Sequence, residues 1–188
     1  MKNNFQQTKL NALAKADKSS KNSFDKKISN LCEKLNKSRE YYTTSSCAGR
    51  ILLIQREERK MPRLFLFVTH DKTSLKELKA EMGKIARKSK RLIYFKQEPC
   101  ILHIACQSLS AAQKLLEWAK LSGWKKLGII ALRRRIVVEI SSTEKIEMPI
   151  INKGKILVSD DFLKLLVKDA NSLLERSWEK IKRLKKFV

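Results

Sequence analysis

The sequence predicts an α+β fold with a mixed, curved, barrel-like β-sheet and packed helices, and it disfavours a Rossmann-type fold. Three times beyond residue 50, two apolar runs of strand length precede a helical pattern. Adjacent strands without an intervening helix are not typical of a doubly wound parallel sheet. The 5 glycines lie far apart, so no glycine-rich nucleotide-binding loop of a familiar kind is present.

Strands are predicted where apolar runs are bounded by charged or turn-forming residues. The runs at 50–55 and 63–70 flank a charged stretch ending in Pro62, which indicates a hairpin. The remaining predicted strands cover 91–97, 100–106, 126–132 and 135–142.

Helices are predicted by caps and by apolar residues at helical spacing. Capping boxes start one helix after Ser74 and a second at Ser110, and Gly123 ends the second. Ser159 caps a long C-terminal helix. Its inner side is predicted to carry Phe162, Leu166, Leu173, Trp178 and Ile181.

The chain is predicted to form one domain over residues 1–188. Residues 1–40 are interpreted as an N-terminal helical arm and residues 41–188 as the α+β core with the C-terminal helix. The arm shows one apolar stripe, made of Phe24, Ile28, Leu31 and Leu35.

The charge favours a polyanionic partner. There are 42 Lys and Arg against 19 Asp and Glu, a net charge of +23, and self-repulsion of that size destabilises an unpartnered protein. Basic runs at 84–96, 125–135 and 175–188 lie on predicted folded elements, which favours a structured RNA over a flat lipid surface. A generally basic surface without such a partner is the alternative.

Cysteine and histidine usage does not indicate a metal site. The four cysteines have no C-x-x-C spacing and there are only two histidines, so neither a zinc site nor a redox dithiol is expected. No apolar run reaches the roughly 18 residues of a membrane helix, and the N-terminus has no signal-peptide pattern. A cytoplasmic protein is the expectation.

The stretch "YYTTSSCAGRILLI" (41–54) combines hydroxyl groups, a glycine and an arginine. Hydroxyls at 43–46, backbone N–H groups near Gly49 and the Arg50 guanidinium can together bind a carboxylate or a phosphate. A helix-to-strand loop that uses Ser and Thr as local caps explains the same residues. The residues by themselves leave both interpretations open.

This stretch is followed by "FVTH", "EPCILHIAC", "SGWKKLGI" and "NKGKILVSDDFLKLLVKDAN", and it is preceded by "KADKSSKNSFDKKI". Together these segments resemble the tRNA wybutosine-synthesising protein 3 family over nearly the whole chain. The sequence departs from the family pattern at Asn22, Lys125, Leu127 and Ser141, positions that bear on RNA contacts rather than on the reaction.

The resemblance implies a methyltransferase of wybutosine biosynthesis acting as a single catalytic domain. Its cofactor would be S-adenosyl-L-methionine. Its substrate would be N(4) of a demethylwyosine base, with or without an aminocarboxypropyl side chain, in the anticodon loop of tRNA-Phe. Such a transfer needs alignment, exclusion of water and an acceptor for the proton of the nitrogen. No metal, membrane or obligate protein partner is implied.

With this reaction in view, the candidate residues fall into three groups. Cofactor binding is expected at Thr44, Ser45, Ser46, Cys47, Gly49, Arg50 and Asp71. Catalytic candidates are His103 and Glu98 as bases and His70 as an orienting group, although a structural histidine explains position 103 equally well. RNA contacts are expected at Tyr41, Tyr42, Lys88, Lys90, Arg91, Arg133, Arg134, Arg135, Lys182 and Arg183.

Three further aromatic residues, Tyr94, Trp118 and Trp124, are additional candidates for stacking on a base. Two alternatives to the methyltransferase remain. One is a noncatalytic RNA-binding or assembly protein, and the other is a phosphate-ester enzyme built on the Ser/Arg stretch.

Overall fold

The structure, a computed structural model, describes residues 4–14, 25–55 and 64–188. The chain divides into two compact units. Unit 1 comprises Met1–Ala48, Cys100–Thr143 and Ser177–Val188, and unit 2 comprises Gly49–Pro99 and Glu144–Arg176. The single catalytic domain over 1–188 stays a prediction.

In chain order the elements are α1 (Asn4–Ala14), α2 (Ser29–Lys37), β1 (Tyr41–Cys47), β2 (Arg50–Gln55), β3 (Phe65–Thr69), α3 (Leu75–Lys88), β4 (Ile93–Glu98), β5 (Ile101–Cys106), α4 (Leu109–Leu121), β6 (Lys126–Ala131), β7 (Ile136–Ser141), β8 (Ile146–Asn152), β9 (Lys155–Ile156) and α5 (Asp160–Phe187). The α+β class is confirmed. Every strand pairing among these elements is antiparallel, so the mixed sheet was a wrong expectation.

Unit 1 contains a four-stranded sheet in the order β1-β5-β7-β6. One face of this sheet is apolar, since Leu102 of β5 and Val138 of β7 are fully buried in a cluster with Leu31 of α2 and Leu115 of α4. Each such side chain contributes roughly 1.5–3 kcal/mol when it leaves water. Because successive strand residues point to opposite faces, His103 lies on the other face, which also carries the buried side chains of Ala105 and Val137.

Helix α2 of the predicted arm, with Ile28 just before it, packs into this unit's core. The predicted stripe is confirmed for Ile28, Leu31 and Leu35, which are each 0% exposed. Phe24 lies outside the described residues, as does Pro62 of the predicted hairpin loop.

Strand β1 shows that residues 41–47 do not form a helix-to-strand loop, which was one interpretation of the stretch 41–54. Residues Tyr41–Cys47 pair with β5 along their length, with one irregularity between Thr43 and Ser45. Threonine and tyrosine suit a pleated surface. The backbone N–H and C=O groups of β1 pair with β5, whereas in a loop they would need side-chain partners. The hydroxyl groups therefore project from a strand.

Unit 2 contains a five-stranded sheet in the order β3-β2-β4-β8-β9. The predicted hairpin of β2 and β3 is confirmed. The sequence did not predict β8, which contains Pro149. The pairing of β8 with β4 is irregular between Ile93 and Tyr94, and Tyr94 lies opposite Pro149. A bulge of this kind is where a sheet tolerates proline.

Helix α3 follows its predicted pattern. The Ser74 hydroxyl accepts a hydrogen bond from the Glu77 N–H at 3.1 Å, and Leu78 and Met82 are buried. Helix α4 begins earlier than predicted, because Ser108 rather than Ser110 is its N-cap. Gly123 ends α4 with φ +89°, a conformation that glycine adopts without strain.

Helix α5 is capped by Ser159, as predicted, through the N–H of Phe162 at 3.3 Å. Leu166, Leu173 and Ile181 are buried on it, whereas Phe162 is 42% exposed, so Phe162 was wrongly assigned to the inner side. No helix in the described part of the chain has both the length and the apolar character needed to cross a bilayer.

Candidate active site

In unit 1, three strands place Ser45, His103 and Glu139 side by side. Ser45 of β1 lies opposite His103 of β5, and His103 lies opposite Glu139 of β7. Directly opposed residues of an antiparallel sheet project from the same face. The three residues therefore form a row on the face opposite to the cluster of Leu102 and Val138, and we call it the histidine row.

The imidazole of His103 meets a carboxylate in this row. His103 Nε2 lies 2.9 Å from Glu139 Oε2, and the two side chains are 29% and 23% exposed. The other carboxylate oxygen, Oε1, lies 3.9 Å from Lys126 Nζ. Within the described residues, Nδ1 of His103 has no hydrogen-bond partner, so this nitrogen is available to a ligand.

Glu139 was missed by sequence reasoning, although a signal existed. It is the one charged residue in the strand "IVVEIS", and a carboxylate within an apolar strand requires a partner or solvent. What the sequence lacked was the strand register that pairs it with His103.

The hydroxyls of β1 are only partly available. Thr44 lies at the irregularity in the β1–β5 pairing, and its Oγ1 donates to the His103 carbonyl oxygen at 3.2 Å. Thr44 and Ser45 are exposed, and Ser46 and Cys47 are half-buried. An exposed Ser45 hydroxyl in the histidine row can donate to or accept from a ligand.

In unit 2, the structure brings two predicted site residues together as an ion pair. Arg50 of β2 lies opposite Glu98 of β4, and its Nε is 2.6 Å from Glu98 Oε2. The Phe65 ring lies 5.1 Å from the guanidinium carbon and is 51% exposed. Phe65 was not predicted as part of any site.

The guanidinium retains donors for a ligand. Among the described residues, the two Nη groups of Arg50 have no hydrogen-bond partner, and the side chains of Arg50 and Glu98 are 30% and 35% exposed. A planar guanidinium with unoccupied Nη donors binds carboxylates well. Gly49, which precedes it, is buried and has φ +101°.

Residues 70–74 connect β3 to α3 in unit 2. The Asp71 N–H donates to Thr69 Oγ1 at 3.1 Å, and the Asp71 side chain is exposed while His70 is half-buried. The segment is anchored by Asn171 of α5, which accepts from the Thr73 N–H at 3.1 Å and donates to the Thr73 carbonyl at 2.9 Å.

The prediction that Tyr41 and Tyr42 form a stacking surface is wrong, because both side chains are buried. They are 1% and 0% exposed, so neither presents a ring face to a base. The Tyr41 hydroxyl donates to the Ala111 carbonyl at 3.0 Å, and burial raises the pKa of Tyr41. The Tyr42 ring lies 5.3 Å from that of Phe5. Both tyrosines are packing residues of unit 1.

The other aromatic candidates differ in exposure. Trp124 is 2% exposed and so offers no ring face. Trp118 is partly buried against the core cluster, with its ring 6.3 Å from that of Tyr41. Tyr94 is half-buried.

The predicted basic contacts are all exposed, but they are divided between the units. Unit 2 carries Lys88, Lys90 and Arg91. Unit 1 carries Arg133, Arg134 and Arg135 in the turn between β6 and β7, together with Lys182 and Arg183 on α5. Lys182 Nζ is 2.6 Å from Glu179 Oε1, and this hydrogen bond lowers the pKa of Glu179.

The four cysteines differ sharply in accessibility. Cys32, Cys100 and Cys106 are buried and Cys47 is half-buried. Burial, with the neighbouring Cys47 and Cys32, raises the pKa of Cys100 well above its usual range. Burial, reinforced by Glu40, raises the pKa of Cys106 to about 12.

We therefore expect one fast-reacting thiol at about pH 8, because burial keeps the reagent from Cys32, Cys100 and Cys106. The raised pKa of Cys100 and of Cys106 also keeps these two thiols protonated, and the thiolate is the nucleophile. Cys47 should react first with a disulfide reagent that releases a coloured thiolate. The other three should react only in denaturant. Cys47→Ser should abolish the fast phase, and a fast phase that persists in this variant would contradict the assignment.

The chain matches the family model described as Methyltransferase TYW3 over residues 4–188. The chain belongs to this family. The TYW3 chain is 34% identical to the tRNA(Phe) 7-((3-amino-3-carboxypropyl)-4-demethylwyosine(37)-N(4))-methyltransferase of Archaeoglobus fulgidus, over 98% of this chain and 91% of that protein. It is 36% identical to the protein of the same name from Methanocaldococcus jannaschii, over 85% of this chain and 83% of that protein.

A solved structure agrees with the fold. The PH1069 protein of Pyrococcus horikoshii matches with a TM-score of 0.86 at 31% identity, over 97% of this chain and 93% of that one. The resemblance seen in the sequence is thus confirmed, and the chain is a methyltransferase of the TYW3 family with a non-Rossmann α+β fold. Its reaction requires a methyl donor.

Proposed function

We propose that this TYW3 chain transfers a methyl group from S-adenosyl-L-methionine to N(4) of a demethylwyosine base, with or without an aminocarboxypropyl side chain, in the anticodon loop of tRNA-Phe. The observation that carries the proposal is the match over residues 4–188 to a methyltransferase family. The names of the archaeal relatives supply the substrate. A net charge of +23 suits a tRNA-binding protein, because neutralised phosphates release counterions.

Considered by itself, unit 2 offers contacts for the amino-acid end of this cofactor. S-adenosyl-L-methionine supplies, when bound, an electrophilic methyl group on a sulfonium and carries a carboxylate and ribose hydroxyls. The unoccupied Nη donors of Arg50 suit the carboxylate. Glu98 Oε1 has no hydrogen-bond partner among the described residues, so it can accept from a hydroxyl. Glu98 is therefore better placed as a cofactor contact than as a base.

Considered by itself, unit 1 offers an acceptor for the proton that this reaction releases. As the nitrogen of the base forms its bond to the methyl group, it must lose a proton. A neutral imidazole is the usual acceptor near neutral pH. His103 Nδ1 takes this role. Ser45, on the neighbouring strand, orients the nucleobase through its hydroxyl group. The thiol of Cys47 needs no covalent role, because the methyl group passes directly to the nitrogen.

We expect Arg50→Ala to weaken the binding of S-adenosyl-L-methionine about 10- to 100-fold, since a hydrogen bond to a charged group contributes about 1.5–3 kcal/mol. Isothermal titration calorimetry of the RNA-free protein measures this. Lys79→Ala, which removes the exposed Lys79–Asp160 ion pair of the same unit, is the matched control.

The unfolding midpoint of Arg50→Ala should stay close to that of the wild type, because a pair this exposed contributes about 0–1 kcal/mol. Equal affinities of wild type and variant would remove Arg50 from the cofactor site. Binding of tRNA by a wild-type protein with no affinity for S-adenosyl-L-methionine would favour the noncatalytic RNA-binding alternative.

A further inference from the structure

Glu139 is the one member of the histidine row that the proposed reaction does not yet use. Its Oε2 lies 2.9 Å from Nε2 of His103. The other ring nitrogen, Nδ1, is the one without a partner among the described residues. The strand partner of Glu139 on the far side is Gly128 of β6. A Cβ at Gly128 would meet no atom within 4 Å, so the row is open at that end.

An ionised carboxylate can only accept hydrogen bonds. A carboxylate of Glu139 beside Nε2 therefore favours the tautomer of neutral His103 that carries its proton on Nε2. In this tautomer Nδ1 presents a lone pair. The contact with Glu139 also restricts rotation of the ring.

We propose that Glu139 is a positioning residue that holds His103 in the Nε2–H tautomer, so that Nδ1 accepts the proton released by the methylated nitrogen. The step rests on the proposed function. The nitrogen–carbon bond forms as the sulfur–carbon bond of the donor breaks, the electron pair of that bond stays on sulfur, and the proton of the nitrogen passes to Nδ1. Glu139 exchanges no proton; its charge stabilises the imidazolium that results.

Glu139→Gln tests the proposal by replacing an acceptor with a group that can also donate. The amide can donate to a bare Nε2 and so permits the Nδ1–H tautomer, which has no lone pair at the required position. Correct and incorrect tautomers of a catalytic histidine differ in rate by up to about 10⁴-fold. Glu117→Gln, on the exposed side of α4 in the same unit, is the matched control.

Two readouts are needed. The first is the ¹⁵N–¹H spectrum of the imidazoles at about pH 8.5, where free histidine is neutral. The chain has only two histidines, and His103→Gln assigns the signals. We expect the Nε2–H tautomer for His103 in the wild type and a mixture in Glu139→Gln.

The second readout is the single-turnover rate with saturating S-adenosyl-L-methionine and undermodified tRNA-Phe. Glu139→Gln should lower the rate about 100-fold or more, with half-saturating concentrations within about threefold of wild type, and Glu139→Asp should recover part of the loss. An Nδ1–H tautomer in the wild type, or an unchanged tautomer and rate in Glu139→Gln, would overturn the proposal. A wild type without transferase activity would refute the proposed function, and the spectrum would still decide the role of Glu139.

Discussion

Replacing His103 with glutamine is expected to lower the single-turnover rate of methyl transfer about 10²- to 10⁴-fold, the usual contribution of a positioned general base. The amide cannot accept a full proton, whereas Nδ1 of the wild-type imidazole can. Binding of S-adenosyl-L-methionine should change little, because the cofactor contacts that we propose lie on Arg50 and Glu98. Rapid-quench assays with labelled methyl donor measure the rate, and calorimetry measures the binding.

A rescue experiment separates a base from a structural histidine. His103→Ala leaves a gap at a side chain that is 29% exposed, so imidazole added to the buffer can reach it. Recovery of the rate with rising concentration of neutral imidazole supports proton transfer. Full activity of His103→Gln would mean that the proton leaves directly to water and that His103 only packs in the sheet.

Affinity for tRNA-Phe is expected to fall about 10³- to 10⁵-fold between 50 and 200 mM salt, as for a protein that contacts about 6–10 phosphates. The exposed arginines at 133–135 are the densest basic cluster of unit 1. Removing all three by alanine substitution should reduce the slope of log affinity against log salt by up to about 2–3, at roughly 0.9 per phosphate contact.

The matched control removes the same charge elsewhere. Lys76 of α3 and Lys164 and Lys168 of α5 are exposed and are not among the predicted RNA contacts. Filter binding or fluorescence anisotropy with an unmodified tRNA-Phe transcript measures both triple variants. Equal slopes for the arginine and lysine variants would show that net charge, and not the turn at 133–135, governs binding.

Local sequence patterns predicted the elements whose signals lie close together in the chain. Helix α3 combines a cap at Ser74 with a stripe of Leu78 and Met82, all within one segment, and the structure contains it as expected. Helix α4 has the same kind of pattern, but Ser108 and Ser110 both offer a cap, and only the backbone geometry shows that Ser108 is used.

Strands were harder to predict where apolar and polar residues do not alternate along the chain. β1 has hydroxyl-rich residues that suit either a loop or a pleated surface, and pairing with β5 decides between them. β8 contains Pro149, which locally disfavours a strand and is accommodated only by the irregular pairing with β4. Burial of Tyr41 and Tyr42 likewise depends on the elements that cover them.

By itself, the sequence determined the family, the α+β class, the basic character and the hydroxyl-rich stretch before Arg50, because these are properties of composition and of nearby residues. Only the tertiary structure decided which side chains meet. Arg50 and Glu98 are 48 positions apart, and His103 and Glu139 are 36 apart. Both contacts follow from strand register, and a shift of one residue would turn each partner to the opposite face of its sheet.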